Sequence, residues 1–572
     1  MPWRRVYGRV SARWLPWARW GAIVWIVVFW RLGYASLLDP DEAHYAELTR
    51  EMLHAGSWLV PLLDGKPFID KPVLFHWLQG ASVMLLGETE FAARLPTALA
   101  AVSLFAITRW MGAALLGEEV GTLGAIMFAT IPATFALSSI AVFDMVFACF
   151  LFGGLACLLV ASRQRRERVE VCGYALLTLA VMTKGPVALV LVGLWIAAAI
   201  ATSARMRAEL QRLHWGVGLV CVTLAASPWF VWMEVRFGSD FVRGYLLAGN
   251  LFYFTQPAEF SSRVVSHTFY MRAFAGAFFP WSAVMIGRGI DVLRRHAPQL
   301  DTSEALLWTW ALVVIGFFSV ARFKLDHYIY PAAPACCLIA AKAWRDAAAD
   351  EAGTWHATRV AVVAIAGLLV AGGGFASVYL WKLDLELPPV AIVLPMALIA
   401  GGIALMFQSW RIQWRVPRNA TAVAAMLLVS YATVVVVGYP AFEEMHPTAQ
   451  VAARLADAMG GSEAPVGLYQ LERWRGSLRY YLNRPIQRLE TVEEARAFFD
   501  RSETVYAIML RREYLELRRE HVRVHPMLAH RAVVGTQGKG LRRQLWGYIV
   551  VVTNVPRRFK PPWDEKEVGP SY

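Results

Sequence analysis

The feature that most constrains this chain is its repetition of long apolar runs. A helix needs about 20 apolar residues to cross the hydrocarbon core of a bilayer. In lipid every backbone amide must also be satisfied inside its own segment, which leaves helices or closed barrels. Apolar length predicts about 13 helical spans here, at 19–38, 92–114, 119–139, 143–162, 171–184, 186–202, 214–234, 272–290, 304–321, 327–345, 359–381, 388–408 and 419–438. The narrow break at Lys184-Gly185-Pro186 separates two of them. A soluble globular chain is not expected to be 57% hydrophobic and only 17% charged.

Charge placement sets the topology. The net charge of +13 does not point to nucleic acid, because much of it lies in short loops between apolar runs. With the N-terminus in the cytoplasm, four clusters fall on the cytoplasmic side, as the positive-inside bias requires. They are Arg163, Arg165, Arg166 and Arg168; Arg205, Arg207 and Arg212; Arg294 and Arg295; and Arg411, Arg415 and Arg418. No small-residue cleavage site follows the basic start and first apolar run, so that run reads as an uncleaved first span. The six cysteines all lie in apolar runs with no zinc-site spacing.

Two regions then fall outside the bilayer. The first outer loop, 39–91, is acidic and aromatic, and Glu42 to Leu53 has the apolar spacing of a helix lying along the interface. The tail, 440–572, reads as a small periplasmic α/β domain after a membrane domain at 1–439. Its pattern predicts helices at 448–459 and 492–500, strands at 466–469, 504–509 and 546–552, and a solvated Arg-rich helix in 511–523.

Charged groups at membrane depth are costly unless they face a cavity or a partner. Under this topology Asp41, Glu42, Asp70, Lys71, Arg94, Asp144, Lys184, His267, Arg272, Lys324, Asp326 and His327 all gather at the outer ends of spans or in outer loops. They predict a polar chamber at the outer leaflet boundary. Cations there suit the phosphate of a lipid carrier, with its tail left in the bilayer. A carboxylate beside them suits acceptance of a proton from an attacking hydroxyl. Lys71, Lys184, His44 and Tyr328 are the donors expected around a departing phosphate. Each has a plainer reading as well. Asp41 suits a helix N-cap, Lys71 a turn, Lys184 a break between spans, and Tyr328 an interfacial anchor.

The residues Asp41-Glu42-Ala43-His44-Tyr45-Ala46-Glu47, Arg50-Glu51-Met52 and Asp70-Lys71-Pro72 resemble the first outer loop of the aminoarabinose transferases of lipid A modification. These belong to the polyprenyl-phosphate-dependent C-type glycosyltransferase superfamily. Thr183-Lys184-Gly185-Pro186, Lys324-Leu325 with Tyr328 and Pro331, and Gly467-Leu468-Tyr469, Ser477 to Tyr481 and Arg484-Pro485-Ile486 extend the likeness over nearly the whole chain. The resemblance implies a polytopic helical membrane enzyme with 13 spans and a periplasmic α/β tail. It also implies inverting transfer of a sugar from undecaprenyl phosphate to lipid A or another envelope glycan. By the same resemblance Asp41 is the essential carboxylate and Asp144 a second functional acid. Tyr45, Lys71 and Tyr328 then hold the carrier phosphate, and Asp70 with His267 can bind a divalent metal ion, though none is required; His44, Lys184 and Lys324 are expected phosphate contacts from their own place in the chamber. Two positions depart from the family: His44 stands where these enzymes carry Arg, and Asp70 where they carry Glu. An imidazole does not reproduce the bidentate arginine fork, so the resemblance speaks more for the reaction class than for aminoarabinose itself. A protein O-mannosyltransferase, whose first loop also carries an Asp-Glu pair, is the alternative enzyme. A transporter is the non-enzyme alternative, and it would predict paired repeats with helices broken near the midplane.

Overall fold

The computed structural model describes residues 20–252, 266, 268–296, 298–350, 354–382, 387–418, 420–471, 474–537 and 543–563. Among these, seven helices are long and apolar enough to cross a membrane, so the chain is a multi-pass membrane protein. They are α4 (Glu90–Leu116), α7 (Phe143–Gln164), α11 (Trp215–Phe237), α14 (Thr302–Val320), α16 (His356–Lys382), α17 (Pro389–Arg411) and α18 (Thr421–Met445). The run expected at 272–290 is instead a bent pair, α12 (Phe269–Ala277) and α13 (Trp281–Leu293), turning by 115°. Pro280 at the N-cap of α13 has no amide hydrogen to continue a ladder. The run at 119–139 is likewise divided, into α5 (Glu118–Thr130) and α6 (Pro132–Leu137). Shorter apolar helices are α1 (Trp20–Phe29), α3 (Leu74–Leu86) and α9 (Val187–Thr202); α3 falls inside the segment expected to be wholly outer loop.

Helix α7 is the centre of the bundle, with 94% of its apolar window buried. It runs antiparallel to α8 (Glu167–Lys184), the two joined by Arg165 in a left-handed turn. Small residues allow the pair to approach closely: a Cβ on Gly154 would meet Leu177 at 2.9 Å, and one on Gly173 would meet Leu158 at 2.8 Å. This hairpin brings the first turn of α7 beside the last turn of α8. Asp144 and Lys184 meet there, while Arg163 and Arg165 sit at the opposite end.

The interfacial helix expected in the first loop is α2 (Asp41–His54). It buries Ala43, Ala46, Leu48 and Met52 and is followed by Gly56 at φ 63°. The bundle also holds the small helix α10 (Ala204–Leu210) and α15 (Ala333–Ala349), which is buried along most of its length.

The first loop carries a short antiparallel pair, β1 (Leu62–Leu63) and β2 (Lys66–Pro67). After α19 (Thr448–Met459) the tail forms a five-stranded mixed sheet of β3 (Val466–Tyr469), β4 (Gln487–Leu489), β5 (Tyr506–Leu510), β6 (His525–Gln537) and β7 (Arg543–Thr553), in the order β4-β3-β5-β7-β6. The β3 strand pairs parallel with β4 and β5, and β7 pairs antiparallel with β5 and β6. Helices α20 (Arg475–Leu482), α21 (Val492–Phe499) and α22 (Arg511–Arg519) complete it. The pattern had placed α19, β3 and α21; α20, β4 and β6 were not anticipated.

Candidate active site

The Asp41-Glu42 pair is divided between two tasks. Glu42 is buried, and its carboxylate accepts from Arg94 Nε at 2.7 Å and Nη2 at 3.0 Å. The backbone amides of Leu38 and Ala141 also donate to it, each at 2.8 Å. Arg94 reaches on to the carbonyls of Leu32, Ala35 and Ser36. This network ties α2, the segment before it, α4 and the entry to α7 into one frame. Asp41, the residue before it and the first of the helix, is exposed and has no hydrogen-bond partner among the described residues. Pro40 occupies the N-cap position, and no side chain caps the helix there. The capping alternative for Asp41 is therefore not realised.

Asp41 opens onto a cavity of about 810 Å³. Of the residues expected at the site, Asp41, His44, Tyr45, Asp70, Lys71, Asp144, Lys184 and Tyr328 all line it. Lys71 Nζ lies 2.9 Å from Asp70 Oδ2. Lys184 Nζ lies 2.5 Å from Asp144 Oδ1 and stands 4.9 Å from the centre of the Tyr328 ring. Both Asp144 oxygens are engaged, because His327 Nε2 lies 3.5 Å from Oδ2. That geometry suits Asp144 to holding cations more than to taking a proton. Burial holds the His44 imidazole below its ordinary pKa against the opposing pull of Asp41 and Asp70, which favours a neutral donor. Burial pushes the Tyr45 phenol up, assisted by Asp41 and Asp70, so it stays an O–H donor.

Lys324 is the exception among the described site residues. Its ammonium donates to the carbonyls of Ser319, at 2.7 Å, and Ala321, closing the C-terminal end of α14. It does not line the cavity. His267 lies outside the described residues. Among those described, no group of three or more His, Cys, Asp or Glu converges as a metal site, and Asp70 already engages Lys71. His327 and the rings of Phe68, Phe143, Phe317, Phe318 and Phe323 complete the lining. His327 stood in the sequence among the ionisable residues of the outer chamber, whereas the aromatic rings carried no signal against an apolar background. One side of the cavity is apolar, built by Pro186, Val187, Val190 and Leu246. Val190 and Leu246 are also exposed outside, as is Leu194 one turn further along α9.

The tail is docked against the loop that carries Asp41. Arg479 on α20 pairs with Glu47 at 3.0 Å and with Glu51 and Asp64. Arg50 donates to the Tyr480 carbonyl at 2.7 Å. Asp39 accepts from the Ser477 amide at 2.9 Å and from its hydroxyl. Tyr481 receives the Leu37 amide at 2.8 Å and donates to Glu90 at 2.9 Å.

Residues 70–232 match the family described as dolichyl-phosphate-mannose-protein mannosyltransferase. The undecaprenyl phosphate-alpha-4-amino-4-deoxy-L-arabinose arabinosyl transferase 1 of Sodalis glossinidius (strain morsitans) is 29% identical over 62% of this chain and 66% of its own length. The arabinosyl transferase of Serratia proteamaculans (strain 568) is 27% identical, over 69% of this chain and 71% of its own. That of Yersinia enterocolitica is 28% identical, over 54% and 55%. The chain thus spans between 55% and 71% of these relatives' lengths. Among solved structures, ArnT from Cupriavidus metallidurans bound to undecaprenyl phosphate superposes with a TM-score of 0.70 at 20% identity, covering 95% of this chain and 99% of that one. Its apo state gives 0.71, with 96% and 98% covered. The likeness establishes a shared fold.

Proposed function

We propose that this chain is a polyprenyl-phosphate-dependent glycosyltransferase of the bacterial inner membrane, moving a sugar from undecaprenyl phosphate to lipid A or another envelope glycan. One observation carries the reading. A single cavity joins Asp41, a carboxylate without a hydrogen-bond partner among the described residues, to the cations Lys71 and Lys184 and to an apolar wall that continues onto exposed residues of α9. A lipid-linked phosphosugar needs those three surroundings together. The names of the aminoarabinose transferase relatives support the same reading.

The reaction is a single displacement. Asp41 accepts the proton of the acceptor hydroxyl as that oxygen attacks the anomeric carbon. The bond from this carbon to the phosphate oxygen breaks on the opposite face, so the configuration inverts. The electron pair leaves with the phosphate, which stays on the polyprenol. Lys71, Lys184, His44 and the hydroxyls of Tyr45 and Tyr328 surround the growing charge, where fixed donors lower the barrier most. Asp144 keeps Lys184 in place. The sugar arrives activated on its carrier, so no soluble nucleotide enters, and the chain's own side chains carry each step.

In this reading the chain crosses the membrane thirteen times with its N-terminus in the cytoplasm. The division falls at 439/440, and the cavity and tail face the periplasm. The placement of Arg163 and Arg165 at the end of α7 opposite Asp144 supports that orientation. The mannosyltransferase family match over 70–232 favours a second reading with a protein acceptor.

The test is transfer by the purified protein from a panel of undecaprenyl-phosphate sugars, offered lipid A or an unfolded polypeptide as acceptor. The proposal expects a mass gain on lipid A with release of undecaprenyl phosphate. Gain on the polypeptide alone transfers the assignment to the second reading, and no release from any donor refutes both.

A further inference from the structure

One partner of Asp144 has no part in the reaction above. The carboxylate holds Lys184 on one oxygen and His327, with Nε2 at 3.5 Å, on the other. The His327 imidazole lines the cavity with its side chain 27% exposed. It packs edge-on against Tyr328, ring centres 5.4 Å apart. Its Nδ1 has no hydrogen-bond partner among the described residues.

Charge balance then decides what this imidazole can do. Asp70 cancels Lys71, and Asp144 cancels Lys184. With His327 neutral, the described lining sets each lysine against a carboxylate and adds the Asp41 charge, so it offers the carrier phosphate hydrogen bonds without net positive charge. Protonated, His327 turns the Asp144 group into a net cation on the wall it shares with Tyr328. A histidine is the side chain whose charge ordinarily changes between pH 5 and 8.

We propose that His327 is a further phosphate-binding residue, the second cation that Asp144 holds beside Lys184, and that its protonation sets the affinity for the carrier phosphate. The proposal rests on the lipid-carrier reading. The titratable groups around it are Asp144 on α7 with the Lys184 it holds on α8, and Tyr328 beside it in sequence. Across the cavity stand Asp41 and His44 on α2, and the Asp70–Lys71 pair. His44 is distinguished by burial, which favours its neutral form.

The probe is undecaprenyl methyl phosphate, a phosphodiester whose own charge stays constant from pH 5.5 to 8.5. Its binding to the full-length protein in nanodiscs is measured across that range. A hydrogen bond to a charged group changes affinity by about tenfold or more. Wild type is therefore expected to bind at least about tenfold more weakly at the alkaline end. His327→Gln should bind throughout with the weak alkaline affinity of wild type. His327→Lys should bind tightly with no slope, and His44→Gln should keep the wild-type slope. A wild-type slope in His327→Gln, or a His327→Lys variant no tighter than the Gln variant, overturns the assignment. If His327→Gln does not fold, the Lys variant decides: tight, pH-independent binding supports the proposal and a wild-type slope overturns it. Failure of wild type to bind at any pH is a separate outcome, which removes the carrier reading itself and His327 with it.

Discussion

Replacing Glu42 with alanine should unfold this protein while replacing its neighbour Asp41 should not. Glu42 accepts four hydrogen bonds, two from Arg94 and two from backbone amides, at 2.7–3.0 Å. Its side chain is 0% exposed and that of Arg94 3%. Removing one partner of a buried pair leaves an uncompensated charge and costs about 3–5 kcal/mol. The three carbonyls that still receive Arg94 argue for the lower half of that range, about 3–4 kcal/mol. Each 1.4 kcal/mol is a factor of ten, so the unfolded fraction should rise by about two to three orders of magnitude. Asp41 is exposed without a hydrogen-bond partner among the described residues, and surface changes of that kind stay within about 0.5 kcal/mol. The assay is thermal unfolding in detergent, followed by labelling of the buried thiols of Cys149, Cys157, Cys336 and Cys337. Glu42→Ala should release them far below the wild-type transition, and Asp41→Ala at the wild-type temperature. Equal transitions for all three proteins would refute the division of the pair into a frame residue and a reacting residue.

Three further outcomes follow from the geometry. Arg479→Met removes the guanidinium that bridges Glu47, Glu51 and Asp64, leaving Glu47 paired with Arg50 alone, and should loosen the tail by about 1.5–3 kcal/mol, read as faster proteolysis between 440 and 537 with transfer lost in parallel. Gly185 sits at φ 82°, and a Cβ there would overlap the Tyr245 hydroxyl, so Gly185→Ala should shift Lys184 and weaken donor binding by tenfold or more at unchanged expression. Burial raises Asp39 to about 6 against the hydrogen bonds from Ser477. The folded state therefore favours the protonated acid, and the stability this lends is present at about pH 4 and lost as pH rises to about 6. Asp39→Asn should flatten that part of the melting profile and make the protein at least as stable at pH 7; an unchanged profile would contradict it.

The parts of the fold that were legible in the sequence are those whose neighbours are uniform. Helices α4, α11, α16 and α17 turn most of their apolar surface outward, and apolar length alone places them within a few residues. Solvent on one face gives α19 its helical period, and Gly460 in a left-handed turn ends it. Elements whose partners are specific were not legible. Arg475, Ser477 and Arg479 make α20 look like solvated chain until Asp39, Glu47 and Asp64 are seen to receive them. The β6 strand interleaves Arg531 and His530 with apolar residues and lies at the sheet edge, where alternation is weak. At the site, ionisable residues stand out against an apolar background, so Asp41, Lys71, Asp144 and Lys184 were visible as a set. Which of them react was not. Glu42 and Asp144 look like Asp41 in sequence, and only their engaged oxygens separate them from it. Lys324 shows the same limit, since a lysine that closes a helix end reads like one that binds phosphate.

The most direct test of the central claim is lipid mass spectrometry on a deletion strain carrying either wild type or Asp41→Asn, with polyprenyl-phosphate sugars and envelope glycolipids followed in one extract. The account predicts that the variant, folded and present at wild-type level, accumulates one carrier-linked sugar while one envelope glycolipid loses the matching mass. Identical spectra from the two strains would contradict it, since the carboxylate placed at the mouth of the cavity would then have no part in sugar transfer.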